Sequence, residues 1–219
     1  MTRPLSTAAA VLGLVLAVPG VAPAAILTVD PARSCYRETQ TVFLQGSGFT
    51  PNALVDVSRE GRSLGRLSAD ASGAFVGELA LPGLLRGQER LTYLARDESN
   101  PALTAEATVV ASATDVVVRP RNGAPNRRLR IRGRGFFRGR AVWAHVVRMG
   151  RGPRARPVRT VRIGRVRGAC RKVRARRRLL RARTRPGRYR VQFDTFRRYR
   201  RNRAVEYDDL VVRVFRTSR

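Results

Sequence analysis

The chain holds one histidine, His145, and two cysteines, Cys35 and Cys170. Hydrolytic catalysis needs a base held against a nucleophile, or a pair of carboxylates. A lone imidazole on a strand supplies the base without its partners, so His145 reads as a packed or hydrogen-bonded structural histidine. The rival reading, an enzyme that uses His145, requires a solvent-accessible ring beside Asp194 or another acid in a concave pocket. One histidine and two distant cysteines do not make a transition-metal set, and Asp97-Glu98 and Asp208-Asp209 lack the further oxygen ligands that calcium needs. Gly133-Arg134-Gly135 followed by Gly139 has the outline of a phosphate-binding loop, but no helix follows whose N-terminus would meet a phosphate. No catalytic residue, metal or cofactor is expected.

The arginines remain. Arginine outnumbers lysine 44 to 1, and the formal net charge is +30. Residues 25–115 carry 8 arginines against 11 acids, whereas residues 116–219 carry 36 basic residues against 4 acidic ones. A GC-rich genome raises arginine together with alanine, glycine and proline, but it does so along a whole chain. It does not explain why one half escapes.

The elements that must carry these residues are strands. An apolar stretch from Ala8 to Val18, then Ala22-Pro23-Ala24, has the form of an export signal with a small-x-small cleavage site, and the stretch is short of the roughly 20 residues of a membrane span. No second long apolar run follows. Beyond it, apolar residues recur with period two in short runs broken by Gly, Pro, Asn and Asp, which excludes a helical protein. Strands are expected at Ile26 to Val29, Thr41 to Gln45, Leu54 to Arg59, Ser63 to Ala69, Ala74 to Ala80, Arg90 to Arg96 and Ala105 to Val110. Seven short strands in that length predict an immunoglobulin-like β-sandwich.

The second half repeats the frame. TVFLQGSGFTPNALVDV (Thr41 to Val57) lies over RLRIRGRGFFRGRAVWA (Arg128 to Ala144), and SADASGAF (Ser68 to Phe75) over IGRVRGAC (Ile163 to Cys170). PGRYRVQFD (Pro186 to Asp194) reads as a late core strand. The expected organisation is all-β: a signal peptide at 1–24, one immunoglobulin-like domain at 25–112 and an arginine-rich copy at 113–219, with the linker near Ala111 to Asp115.

The G-x-G-F-x-P-x-A-x-V turn in Gly46 to Val55, the A-D-x-x-G-x-F hairpin in Ala69 to Phe75 and the P-G-x-Y-x-V strand in Pro186 to Val191 resemble bacterial immunoglobulin-like and IPT/TIG-type domains. The tandem pair is similar to secreted two-domain actinobacterial proteins. This resemblance implies a fold and a cell-surface setting, and no chemistry.

In a sandwich whose strands A, B, E and D share a sheet, Arg128, Arg130 and Arg132 face outward on B. Arg162 faces outward on D, and Arg171, Lys172, Arg174, Arg176, Arg177 and Arg178 follow on E. With Arg197, Arg198, Arg200, Arg201 and Arg203 as a basic loop near the last strand, they predict a cationic surface that binds polyanions by counterion release. The expected protein is non-enzymatic, secreted or non-covalently held at the cell envelope. Its expected partners are anionic envelope polymers or acidic polysaccharide, with non-specific nucleic-acid binding at low salt. A solvated basic surface without a dedicated ligand stands beside this reading. Glu206, Asp208 and Asp209 are expected to neutralise neighbouring arginines.

Cys35 follows the first strand, and Cys170 sits at the turn into strand E. Both are placed at the interdomain junction, where an oxidising compartment would allow a bridge between them. Two buried free thiols or an intermolecular bridge are the open alternatives.

Overall fold

The computed structural model describes residues 24–150, 155–200 and 208–215. The expected export signal, apart from Ala24, lies outside the described residues, as do Arg201, Arg203 and Glu206. The first half contains β1 (Ile26–Asp30), β2 (Tyr36–Arg37), β3 (Thr41–Ser47), β4 (Leu54–Arg59), β5 (Arg62–Ser68), β6 (Phe75–Ala80), β7 (Gln88–Asp97) and β8 (Thr104–Ser112). The second contains β9 (Asp115–Arg119), β10 (Asn122–Gly123), β11 (Arg128–Arg134), β12 (Ala141–Arg148), β13 (Arg159–Arg165), β14 (Val173–Arg178), β15 (Gly187–Asp194) and β16 (Asp208–Val214). No described helix is long and apolar enough to cross a membrane.

The two halves match strand for strand. Each has a three-stranded sheet, β1-β3-β6 or β14-β11-β9, and a five-stranded sheet, β2-β8-β7-β4-β5 or β10-β16-β15-β12-β13. In each half the short second strand joins the last strand in parallel, and the other pairings are antiparallel. The fold is therefore all-β, two immunoglobulin-like sandwiches in tandem. Period-two alternation explains it: Val42 and Leu44 on β3, and Leu129 and Ile131 on β11, point inward while their neighbours face solvent. Two separate apolar cores result, one around Val42, Val55, Leu91 and Tyr93, the other around Ile131, Phe136, Val142 and Phe193. Tyr189 near the start of β15 donates its hydroxyl to the Arg185 carbonyl at 2.6 Å, the tyrosine-corner device of such sandwiches.

The glycine motif has a packing reason in both copies. Gly48 and Gly135 have φ of 79° and 76°, a region that glycine enters without steric cost. A Cβ on Gly48 would lie 3.1 Å from the Ala24 carbonyl oxygen, and one on Gly135 would collide with the Ala113 carbonyl. The chain arriving at the first strand of each half runs directly over this glycine. No phosphate loop is formed.

The sheet assignment expected from sequence needs one correction. β13 pairs with β12, as β5 pairs with β4, so strand D belongs to the five-stranded sheet and not to the sheet of A, B and E. Arg162 leaves the expected face with it. The repeat alignment also shifts near Cys170. Gly46 pairs with Phe75 and Gly133 with Val173, so the equivalent of Phe75 is Val173 rather than Cys170. Arg171 (φ 50°) then occupies the place of Gly73 (φ 76°), two residues before the strand.

Only Ala113 and Thr114 separate β8 from β9. Ala113 N donates to Gly87 O at 3.0 Å, Thr114 Oγ1 to Gly135 O at 2.9 Å and Gly135 N to Cys170 O at 3.0 Å. Cys35 and Cys170, both buried, form a disulfide here, with Cα atoms 5.2 Å apart.

Candidate functional site

Strand register brings the arginines together. On β11 the outward positions are Arg128, Arg130, Arg132 and Arg134, and on β14 they are Arg174, Arg176 and Arg178. The pairing places Arg128 opposite Arg178, Arg130 opposite Arg176 and Arg132 opposite Arg174. On the other flank Arg119 of β9 stands opposite Arg130. Eight of the ten outward positions on this sheet are arginine, against none of the ten on the matching sheet of the first half, where Phe43, Val76 and Glu78 are among the occupants. The two halves share the frame and differ on this face, which a composition bias running along the whole chain does not explain.

Like charges directly opposite on an antiparallel pair destabilise it, by about 0.2–1 kcal/mol each. Here three such rungs stack along one seam, and inward packing of Leu129, Ile131 and Val173 has to carry the cost. Arg134 is relieved by Asp115 at 3.7 Å. Among the described residues Arg119, Arg128, Arg130, Arg132, Arg174, Arg176 and Arg178 have no ion pair. A concavity of about 570 Å³ opens over this sheet at its junction end, lined by Arg119, Arg130, Arg132, Arg134, Lys172 and Arg174 with Val117 and Val173 between them.

The expected site residues divide between surfaces. Arg128, Arg130, Arg132, Arg174 and Arg176 share the three-stranded face, with Lys172 at its rim in the turn before β14. Arg171 lies in that same turn rather than on a strand, and donates to the carbonyls of Phe136 and Gly139. Arg177 has the parity of inward residues, opposite Leu129. Arg162 is exposed on the other sheet. Arg197, Arg198 and Arg200 are exposed in the loop after β15, which covers the outer face of the five-stranded sheet and so does not extend the arginine seam. Arg119 and Arg134 were not expected. The alternation of Val116 and Val118 with Arg119 carried a signal for the first.

His145 lies beneath that loop and is 0% exposed. Its Nε2 faces Phe196 O at 3.0 Å and Asp194 Oδ1 at 3.3 Å, and its Nδ1 faces the Thr160 hydroxyl at 3.0 Å. Phe196 O accepts only, so Nε2 donates to it, and Nδ1 exchanges a hydrogen bond with the Thr160 hydroxyl. Asp194 Oδ2 accepts from Gln192 Nε2 at 2.7 Å, and the same nitrogen donates to Arg200 O at 2.8 Å. The cluster ties the loop down, and both ring nitrogens are engaged.

Asp194 has a counterpart in Asp97, the last residue of β7. Each is fully buried and accepts from the amide two residues on, Ser99 N or Phe196 N, at 2.8 Å. Asp97 also takes Thr50 N at 2.8 Å, Ser99 Oγ at 2.6 Å and Asn100 N at 3.0 Å. Burial alone would push its carboxyl up, but hydrogen bonds from Ser99, Thr50 and Asn100 hold it well below the usual carboxylate range. Asp208 accepts Val116 N at 2.7 Å, and burial raises its carboxyl. Asp209 approaches Arg190 at 4.0 Å. These acids serve the sandwich more than the arginine seam.

No family model matches the chain, and no curated protein matches it. Among solved structures it is similar to the human OSCAR ligand-binding domain, with 18% identity over 88% of this chain and 98% of that one and a TM-score of 0.35. It is also similar to the Yersinia pseudotuberculosis adhesin InvE, with 10% identity over 87% of this chain and 58% of that one and a TM-score of 0.34.

Proposed function

We propose that this is a secreted, non-enzymatic surface protein of the tandem IPT/TIG-like kind, retained at the cell envelope by binding an anionic polymer along the arginine seam between β11 and β14. The observation that carries the reading is the stack of opposed, unpaired arginines, Arg128–Arg178, Arg130–Arg176 and Arg132–Arg174. A surface that opposes like charges at consecutive rungs gains most from a ligand that neutralises them together. The rungs recur every second residue, about 6.6–6.8 Å apart, so an extended polyanion lying along the strands meets one pair of guanidinium groups after another. The first half, without arginine on the matching face, serves as spacer or protein contact.

Arginine-to-phosphate contacts without groove-reading elements bind by charge density, and such binding weakens steeply with salt. Sedimentation with isolated cell wall and, separately, with naked DNA at matched ionic strength tests the proposal. Retention on both in low salt, released as salt rises, is expected. Retention that does not change with salt, or none at all, contradicts it.

A further inference from the structure

A second cationic concavity, of about 220 Å³, lies at the end of the second sandwich remote from the junction. Its rim joins Arg148 at the end of β12, Arg159 at the start of β13, and Arg181 and Arg185 in the loop between β14 and β15. Leu180 and Tyr189, both buried, and the exposed Val158 contribute the apolar part of its lining. The loop is held in shape by its own bonds. Arg181 N donates to Thr184 Oγ1 at 3.1 Å, Thr184 N returns to Arg181 O at 3.0 Å, and the Tyr189 hydroxyl grips Arg185 O. None of the lining residues is acidic, and none of these four arginines has an ion pair among the described residues.

We infer that this pocket is a separate site for a compact tetrahedral anion, a phosphomonoester. Four arginines from three segments, Arg148, Arg159 and the Arg181/Arg185 loop, line one concavity, so a bound anion could be met from several sides. A planar carboxylate is satisfied by one or two bidentate contacts, whereas a phosphomonoester offers three acceptor oxygens and a charge near −2 at neutral pH. Locking the loop beforehand lowers the ordering cost of binding. The titratable lining is arginine and Tyr189, whose hydroxyl is already committed, so pH dependence near neutrality comes from the ligand: binding strengthens as pH rises through about 6 and the dianion forms. The site is independent of the seam, since it draws on none of the seam's arginines.

Residue-resolved NMR of the full chain, titrated with glycerol 1-phosphate, methyl sulfate and acetate at matched ionic strength, tests the inference. Saturable shifts at Arg181 and Thr184 are expected with glycerol phosphate. Acetate should bind about tenfold more weakly or worse, since it loses the multidentate contacts. Arg185→Gln and Arg148→Gln should each weaken the phosphate response about tenfold, and Arg181→Lys, which keeps the charge and loses the fork, should weaken it less. A seam variant, Arg130→Gln with Arg176→Gln, should leave it unchanged. Shifts that never saturate and spread equally over the seam overturn the site, and equal binding of methyl sulfate or acetate overturns the ligand class. If Arg185→Gln or Arg148→Gln unfolds the sandwich, the exposed Arg181→Lys variant decides alone, and an unweakened response from it contradicts the proposal. Salt-insensitive envelope retention would contradict the seam and leave this pocket standing.

Discussion

Arg130 and Arg176 stand directly opposite each other on neighbouring antiparallel strands, both exposed, with a third arginine, Arg119, on the far side of Arg130. Two like charges at that position oppose folding, and a polyanion laid over them would relieve that repulsion. Arg176→Thr should therefore raise stability at low salt, by roughly 0.2–1 kcal/mol, while weakening polyanion binding. Denaturant titrations at low and high salt check it: the stability gain should shrink as salt screens the pair. A loss of stability at both would mean that Arg176 is held by favourable contacts instead.

Cys35 and Cys170, 135 residues apart in sequence, fix the joint together with the two-residue connection at Ala113 and Thr114. Cys35→Ser should destabilise the protein by about 4–5 kcal/mol if the constraint on the unfolded chain dominates. Alkylation and intact-mass measurement of protein purified without reductant should find no free thiol, and two free thiols would refute the bridge.

Asp97 supplies a pH signature. Its carboxyl is held below its unfolded value, so it adds stability above about pH 4 that is lost as pH falls through the folded value. Asp97→Asn should lower the melting temperature at neutral pH, and the gap to wild type should close on acidification below about pH 4. A gap that persists unchanged down to strongly acidic pH would place the effect in the lost hydrogen-bond geometry and not in the charge.

Much of the fold was legible because period two assigns faces. Leu129 and Ile131 alternating with Arg128, Arg130 and Arg132 settled which side of β11 meets solvent. It does not assign sheets. β13 could pair with either neighbour, and its outward Arg162 reads the same in both, so its membership of the five-stranded sheet had no local signal. Asp194 was legible as a candidate partner of His145, but the loop that closes over the ring was not. The outward parity of His145 was readable, but the loop that buries it arrives from Phe196 to Arg200, and the bond between His145 and Phe196 spans 51 residues of sequence. At Cys170 the two copies resemble each other at the wrong offset, because Gly168-Ala169 mimics Gly73-Ala74 while the register begins at Val173.

The most direct test of the seam is the salt dependence of binding to a defined single-stranded polyanion. For oligothymidylate, log K should fall linearly with log[salt] with a slope of about −0.7 for each phosphate neutralised. Removing four contacts with Arg128→Gln, Arg130→Gln, Arg132→Gln and Arg174→Gln in one folded variant should reduce the slope by roughly 3. An unchanged slope in a variant whose β-sheet circular dichroism matches wild type would contradict the account, because the ligand would then be held elsewhere.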